Sequence, residues 1–179
     1  TADTTYNDKG LVIVENKEIT NFDKKGRGPG TSMQEVLNQS LNTGMVFVEQ
    51  KLGKEKMRDY LFSYGIKDKT GIDLPNETSG LVGNLNSPRE IEYANAAFGQ
   101  GIALTPVELI RALASLANGG NLVTPHIVQE IKYDNGSSKK MSYPIKRAKI
   151  TKETSEEITR MLVTVMDKAI KGGLAKLEH

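Results

Sequence analysis

Cysteine is absent from the 179 residues. That excludes disulfides and thiol chemistry, and with His126 and His179 as the only histidines a zinc site has too few ligands of the usual kind. Cysteine-free chains suit the cytosol and extracytoplasmic compartments alike, so composition is compatible with both. No apolar run approaches the ~20 residues of a membrane-spanning helix. No signal peptide opens the chain, and Thr1 reads as the middle of something longer. The net charge is +2, from 24 basic and 22 acidic residues spread along the chain, which gives no electrostatic footprint for nucleic acid. No internal repeat is visible. What is present, 37% apolar and 26% charged residues, is the composition of a soluble globular protein. The length suits one ordinary domain or one lobe of a larger one.

The pattern predicts a mostly α fold with a small antiparallel β-hairpin, in a single partial domain over 1–179. Its expected parts are a polar connector with short strands (1–30), a helical core (31–120), a β-hairpin region (121–150) and a C-terminal helix (151–173). Leu11-Val12-Ile13-Val14 and a half-strand around Ile19 read as a small hairpin, followed by Gly26-Arg27-Gly28-Pro29-Gly30 as a flexible connector. That glycine-rich run matches no nucleotide fingerprint, and no cofactor is expected.

Ser32 with Glu35 is a capping box that starts a helix near Met33, with Met33, Val36 and Leu37 inward. A second helix carries Met45, Val48 and Leu52 inward, and a third, Lys54–Tyr64, ends at Gly65. Gly65–Asn86 is a long loop. Ser87-Pro88-Arg89-Glu90 and Thr105-Pro106-Val107-Glu108 repeat one helix-start signal. The second of these opens a helix expected to bury Leu109, Ala112, Leu113 and Leu116 and to end at Gly119-Gly120. Thr124–Tyr143 reads as a hairpin turning at Asp134-Asn135-Gly136. Thr151–Ile170 is an amphipathic helix with Ile158, Met161, Leu162, Val165 and Ala169 on its apolar side, capped by Gly172-Gly173.

Ser40 and Asn42 are the candidate site residues. A hydroxyl can relay a proton between an attacking serine and a leaving amine, and an asparagine amide can hold a substrate carbonyl or amide. Neither is a nucleophile without an adjacent base. At ~100° per residue the two would sit on roughly opposite sides of one helix, so service to one site requires a break near Gln39–Thr43, with both side chains turned to an open cleft. By itself the triplet reads as a helix-breaking polar loop. Lys69-Thr70-Gly71 copies an acyl-transferase element in letters but lies in a loop with no strand before it. Glu35-Val36-Leu37-Asn38 copies a hydrolytic glutamate motif, yet it stands before Ser40 and Glu35 already serves the helix start. Neither is assigned chemistry. His126 reads as a surface or loop-packing residue, and the sequons at Asn38, Asn76 and Asn135 as chance.

Four stretches together resemble the transpeptidase domain of class B penicillin-binding proteins. Leu37-Asn38-Gln39-Ser40-Leu41-Asn42 is similar to the family's Ser-x-Asn motif, and Lys69–Glu77 to its Thr-Gly-Ile-Asp-Leu-Pro-x-Glu loop. Phe98–Pro106 resembles the Gly-Gln-Gly segment before a central helix. Ala117-Asn118-Gly119-Gly120 with Pro125-His126-Ile127-Val128 resembles that helix's end and the next strand. They cover most of the chain in the family's order. The family's nucleophile motif, Ser-x-x-Lys, has no counterpart ahead of these landmarks; its letters recur only at Ser137 and Lys140, in a hairpin turn behind them. The strand-borne Lys-Thr-Gly would follow the last helix, beyond Leu177-Glu178-His179, which read as native sequence or the start of a tag.

The resemblance implies the helical lobe of the α/β fold shared by serine β-lactamases and transpeptidases. It implies a parent D,D-transpeptidase that cross-links peptidoglycan stem peptides through a serine acyl-enzyme, with Ser40 in the proton relay and Asn42 holding substrate or drug. β-Lactam antibiotics and cell-wall synthesis proteins are the implied partners. The implied location is the extracytoplasmic face of the bacterial membrane, reached by an anchoring helix not present in this chain. With nucleophile, lysine and oxyanion hole elsewhere, the chain alone is expected to be inactive. The alternative is a non-catalytic helical binding module or a pseudoenzyme of that family. A penicillin-sensing receptor or β-lactamase fits the Gly-Ile-Asp-Leu-Pro loop less well.

Overall fold

A computed structural model describes residues 1–172. Gly173 and Leu177-Glu178-His179 lie outside the described residues. The chain divides into two compact units, one of Thr1–Met57, Gly83–Gly101 and the segment from Glu156 onward, the other of Arg58–Val82 and Ile102–Ser155. Six α-helices and four antiparallel strand pairs are present among the described residues. The helix-rich expectation holds. No described helix is long and apolar enough to cross a membrane.

In the first unit, β1 (Thr5–Asp8) pairs with β4 (Gly28–Ser32), and β2 (Leu11–Val14) with β3 (Lys17–Thr20). The hairpin around Ile19 is therefore as expected. The connector over 26–30 is not: its second half is β4, held by Tyr6 and Thr5 opposite Thr31 and Ser32. Helix α1 (Met33–Gln39) starts where Ser32 Oγ accepts the Glu35 amide at 3.2 Å. Only that half of the capping box is made. The Glu35 carboxylate instead takes amides from Asn38 and Gln39 and the ammonium of Lys168.

Helix α2 (Asn42–Leu52) buries Thr43, Gly44, Val46 and Glu49, whereas Val48 is 37% exposed. The predicted inward set of Met45, Val48 and Leu52 is thus out of phase. Gly44 permits a close approach: a Cβ there would lie 2.3 Å from Val36 Cγ2 of α1. The β2–β3 hairpin packs Val14 and Ile19 with Val46 of α2 and with Ile91 and Ala94 of α4 (Glu90–Ala97). Helix α4 begins later than expected. Ser87 Oγ accepts the Arg89 amide in a turn, and Arg89, not Ser87, is the residue that precedes the helix. Helix α3 (Lys54–Ser63) ends at Gly65 as expected, with φ 76°.

In the second unit, α5 (Pro106–Ala117) starts with a complete capping box between Thr105 and Glu108. Its buried residues are Glu108, Arg111 and Ser115, while Leu109 and Leu113 are 45% and 51% exposed. Of the predicted stripe, Leu109 and Leu113 face outward, and Ala112 and Leu116 are half-buried. Polar side chains can be inward because each finds backbone partners: Glu108 accepts the Thr105 and Gly80 amides, and Arg111 donates to the Gly65 and Thr70 carbonyls at 3.0 Å each. Strands β5 (Asn121–Val123) and β8 (Ile145–Arg147) pair, and β6 (Glu130–Lys132) and β7 (Ser138–Lys140) form the hairpin with Gly136 at its turn. Helix α6 (Lys152–Lys171), which belongs to the first unit from Glu156 onward, buries Met161, leaves Ile158, Val165 and Ala169 half-buried, and leaves Leu162 41% exposed.

Candidate functional site

The chain breaks helix between α1 and α2 at the expected place. Ser40 adopts the left-handed backbone conformation, φ 52° and ψ 53°, and Leu41 is extended before α2 resumes at Asn42. Leu41 is 1% exposed. The middle residue of Ser-x-Asn is therefore the anchor in the core, and its two polar neighbours lie further out.

A buried polar network fixes this bend. Asp8 at the end of β1 accepts the Gly10 amide at 2.9 Å, the Arg27 amide at 3.1 Å and the Asn21 side-chain amide at 3.2 and 3.0 Å on its two oxygens. Thr43 Oγ1 lies 2.8 Å from Asp8 Oδ1 and 3.0 Å from the Tyr6 hydroxyl. Asn21 Oδ1 accepts the Thr43 amide at 3.2 Å, so a side chain from the β3 exit satisfies an open N–H in the first turn of α2. Burial raises the Tyr6 phenol above its ordinary pKa and keeps it a neutral donor. Asp8, Asn21 and Thr43 are 1%, 1% and 5% exposed, so three chain segments are locked together by side chains without contact to bulk water.

Asn42, the next residue outward, donates its amide to the Thr20 carbonyl at 2.9 Å. It lines an open cavity of about 290 Å³ with Thr20, Phe22, Asn95, Phe98 and Gln100 among its neighbours. Phe98 also packs on the core beneath the hairpin. The C-terminal turn of α4 brings Gln100 back: the Asn95 carbonyl accepts both the Phe98 and the Gln100 amides, and Gly99 turns with φ 86°, a conformation open to glycine. Phe22 is 98% exposed. Chemically the cavity offers several carboxamides and two aromatic faces, suited to a ligand with amide groups and apolar flanks.

Ser40 is exposed on the bend beside Asn42, is not among the residues lining the cavity, and its hydroxyl has no hydrogen-bond partner among the described residues. Sequence reasoning singled out Ser40 and Asn42 but did not assign Phe22, Asn95 or Gln100 to the site. The Gly-Gln-Gly stretch, noted only as a landmark, was the available signal for Gln100.

Elsewhere the motif letters without assigned chemistry are structural. Thr70 donates its amide and hydroxyl to Glu77 Oε1 at 2.6 and 2.5 Å, and the Gly71 amide reaches Glu77 Oε2 at 3.0 Å. Asp73 accepts the Ile127 and Val128 amides and the Tyr143 hydroxyl, each at 2.8 Å, and these bonds hold its carboxyl below its ordinary pKa. His126 is exposed and stacks on Tyr143 at 3.9 Å. No group of three or more His, Asp and Glu is arranged to hold a metal among the described residues.

Comparison with known proteins places the chain in a family. The model of the penicillin binding protein transpeptidase domain matches residues 1–177. Stage V sporulation protein D of Bacillus subtilis is 36% identical over 163 residues, 90% of this chain and 25% of that protein. A peptidoglycan D,D-transpeptidase FtsI homolog of Mesostigma viride is 30% identical, over 69% of this chain and 22% of that protein. The fold overlays on penicillin binding protein 3 of Mycobacterium tuberculosis, complexed with aztreonam, with a TM-score of 0.85 and 24% identity. That overlay covers 92% of this chain and 37% of that one. The chain thus spans about a quarter of the length of the curated relatives it matches.

Proposed function

Because this chain belongs to the family of penicillin-binding protein transpeptidase domains, we propose that it is the central part of a serine D,D-transpeptidase that cross-links peptidoglycan stem peptides. The observation that carries the reading is the meeting of Asn42 with Gln100 and Phe22 around one cavity, three segments far apart in the chain. The attacking serine, its lysine and the oxyanion donors belong to parts of the protein outside this chain. Asn42 holds an amide of the stem peptide or of a β-lactam, and Phe22 gives the ligand's apolar flank a surface. Ser40, with a hydroxyl that has no other hydrogen-bond partner among the described residues, relays a proton to the leaving amine. The complete protein works at the extracytoplasmic face of a bacterial membrane, anchored by a helix outside these residues, among cell-wall synthesis proteins.

Incubation with a fluorescent penicillin, read on a denaturing gel, tests the division of labour. The 179-residue chain should take no covalent label; a labelled band would overturn the claim that the nucleophile lies elsewhere. In the complete protein, Asn42→Ala should slow acylation by roughly 100-fold with an unchanged melting temperature. Unchanged acylation removes Asn42 from the site. A complete protein that takes up no label at all favours the second reading, a non-catalytic relative, which the missing Ser-x-x-Lys also fits.

A further inference from the structure

Asn42 is tied on two sides to one dipeptide, Thr20-Asn21. Its side-chain amide donates to the Thr20 carbonyl at 2.9 Å. The N–H of the next residue, Thr43, donates to Asn21 Oδ1 at 3.2 Å. The Thr20 carbonyl lies in the rigid peptide plane that ends at the Asn21 Cα. The acceptor for the Asn42 carboxamide and the acceptor for the start of its helix are therefore parts of one small body. Asn21 also stands in the wall of the cavity, yet its side chain is committed to the interior, and the residue is 1% exposed. Asn21 Oδ1 lies 3.0 Å from Thr43 Oγ1 as well, and Nδ2 donates to the Lys25 carbonyl at 3.0 Å and to both oxygens of Asp8. Both polar atoms of the side chain are occupied within the protein. These bonds leave Asn21 one orientation, and the Thr20 carbonyl one direction.

We infer that Asn21 is a positioning residue for acyl transfer: without touching the ligand, it sets the plane in which Asn42 offers its carboxamide. The inference rests on the proposed role of Asn42 and carries it back to the residue that orients it. Loss of the Asn21 side chain frees the Thr20 carbonyl and the first turn of α2 together. The Asn42 carboxamide can then rotate among orientations of which only one matches a ligand amide. A displacement of about 1 Å in a positioning group can cost on the order of 100-fold in rate. That cost falls on ligands that use the carboxamide. A ligand without the matching amide has nothing to lose by it.

The complete protein is tested as Asn21→Ala, as Asn42→Ala and as the double variant. Acylation is followed with a fluorescent penicillin, which carries an acyl amide. It is also followed with the deacylated penicillin nucleus, a free amine in place of that amide, read by competition with the fluorescent compound. Asn21→Ala should bind the same final amount of label, a sign of intact folding, but acquire it about ten-fold more slowly. With the deacylated nucleus the rate should change by less than about two-fold. In the Asn42→Ala background, Asn21→Ala should again change the rate by less than about two-fold, because the group it positions is gone. An asparagine that only holds the fold slows both compounds equally or multiplies with Asn42→Ala, and either result overturns the proposal. So does an unchanged rate for Asn21→Ala beside a slowed Asn42→Ala, which leaves the role of Asn42 standing. Unchanged acylation of Asn42→Ala removes that role and the proposal with it. Should Asn21→Ala yield no folded protein, Asn21→Ser, whose oxygen stops short of the Thr43 amide, takes its place with the same expected rates.

Discussion

Ser40 meets two demands at once. Its backbone is left-handed, which costs a non-glycine residue roughly 1 kcal/mol, and its exposed hydroxyl is the proposed proton relay. Ser40→Gly separates the two. The fold should be unchanged or more stable by up to about 1 kcal/mol in urea unfolding, while acylation in the complete protein falls. Loss of stability would mean that the hydroxyl, not the backbone, holds the bend. Asp8 makes the opposite kind of prediction. Asp8→Ala leaves the Gly10 and Arg27 amides and one N–H of the Asn21 side chain without their acceptor inside the protein, and should cost about 3 kcal/mol or more. Glu35 sets an acid limit. Bonds from Asn38, Gln39 and Lys168 lower its pKa from 4.5 to about 2. A depressed carboxyl stabilises the fold above its unfolded pKa, so its contribution is complete above pH 4.5 and lost as pH falls toward 2. The carboxylate is 32% exposed, so solvent screening limits this to about 2 kcal/mol. Glu35→Gln should flatten the pH dependence of unfolding in that window.

At the scale of elements, most helix ends were readable, as were the inward faces of α1 and α6, and the faces of α2 and α5 were not. Ser32, Thr105 and Gly65 act through local backbone geometry, and local geometry is written in neighbouring residues. The inward faces of α2 and α5 depend on partners far along the chain. Thr43 is inside because Asp8 and Asn21 bond it, and Arg111 is inside because the Gly65 and Thr70 carbonyls receive it. Counting apolar residues turns both helices the wrong way. Strand β4 was hidden for a similar reason: Gly28-Pro29-Gly30 has no strand character of its own, and the pairing with β1 supplies it. The contact of α1 with α2 is tight enough to test. Gly44→Ala should cost about 1–3 kcal/mol by overpacking against Val36. Adding Val36→Ala should recover part of that cost in a double-mutant cycle. Strict additivity would show that the helices do not meet there.

For the molecule as a whole, side-chain to backbone bonds serve where extended sheet is lacking. The first unit uses Asp8 and Asn21 for this, and the second uses Glu77, Asp73 and Arg111. The loop over 65–86 should therefore open locally when its carboxylate is lost. Glu77→Ala should speed hydrogen exchange at the Thr70 and Gly71 amides by more than about ten-fold, with exchange in the first unit unchanged. Uniform acceleration would point to global destabilisation. Of the residues lining the candidate cavity, only Asn42 was singled out from the sequence. Phe22 and Gln100 reach it through the hairpin exit and the α4 turn, connections made by folding and not by spacing.

The bond from Asn42 to the Thr20 carbonyl has one more result. With one N–H committed, the side chain keeps one hydrogen and one oxygen, both in the plane of the carboxamide that the bond orients. A peptide passing that plane presents carbonyl and amide in one order when it runs one way and in the reverse order when it runs the other. Under the proposed function, an asparagine held like this would distinguish the direction of a stem peptide as well as the presence of an amide.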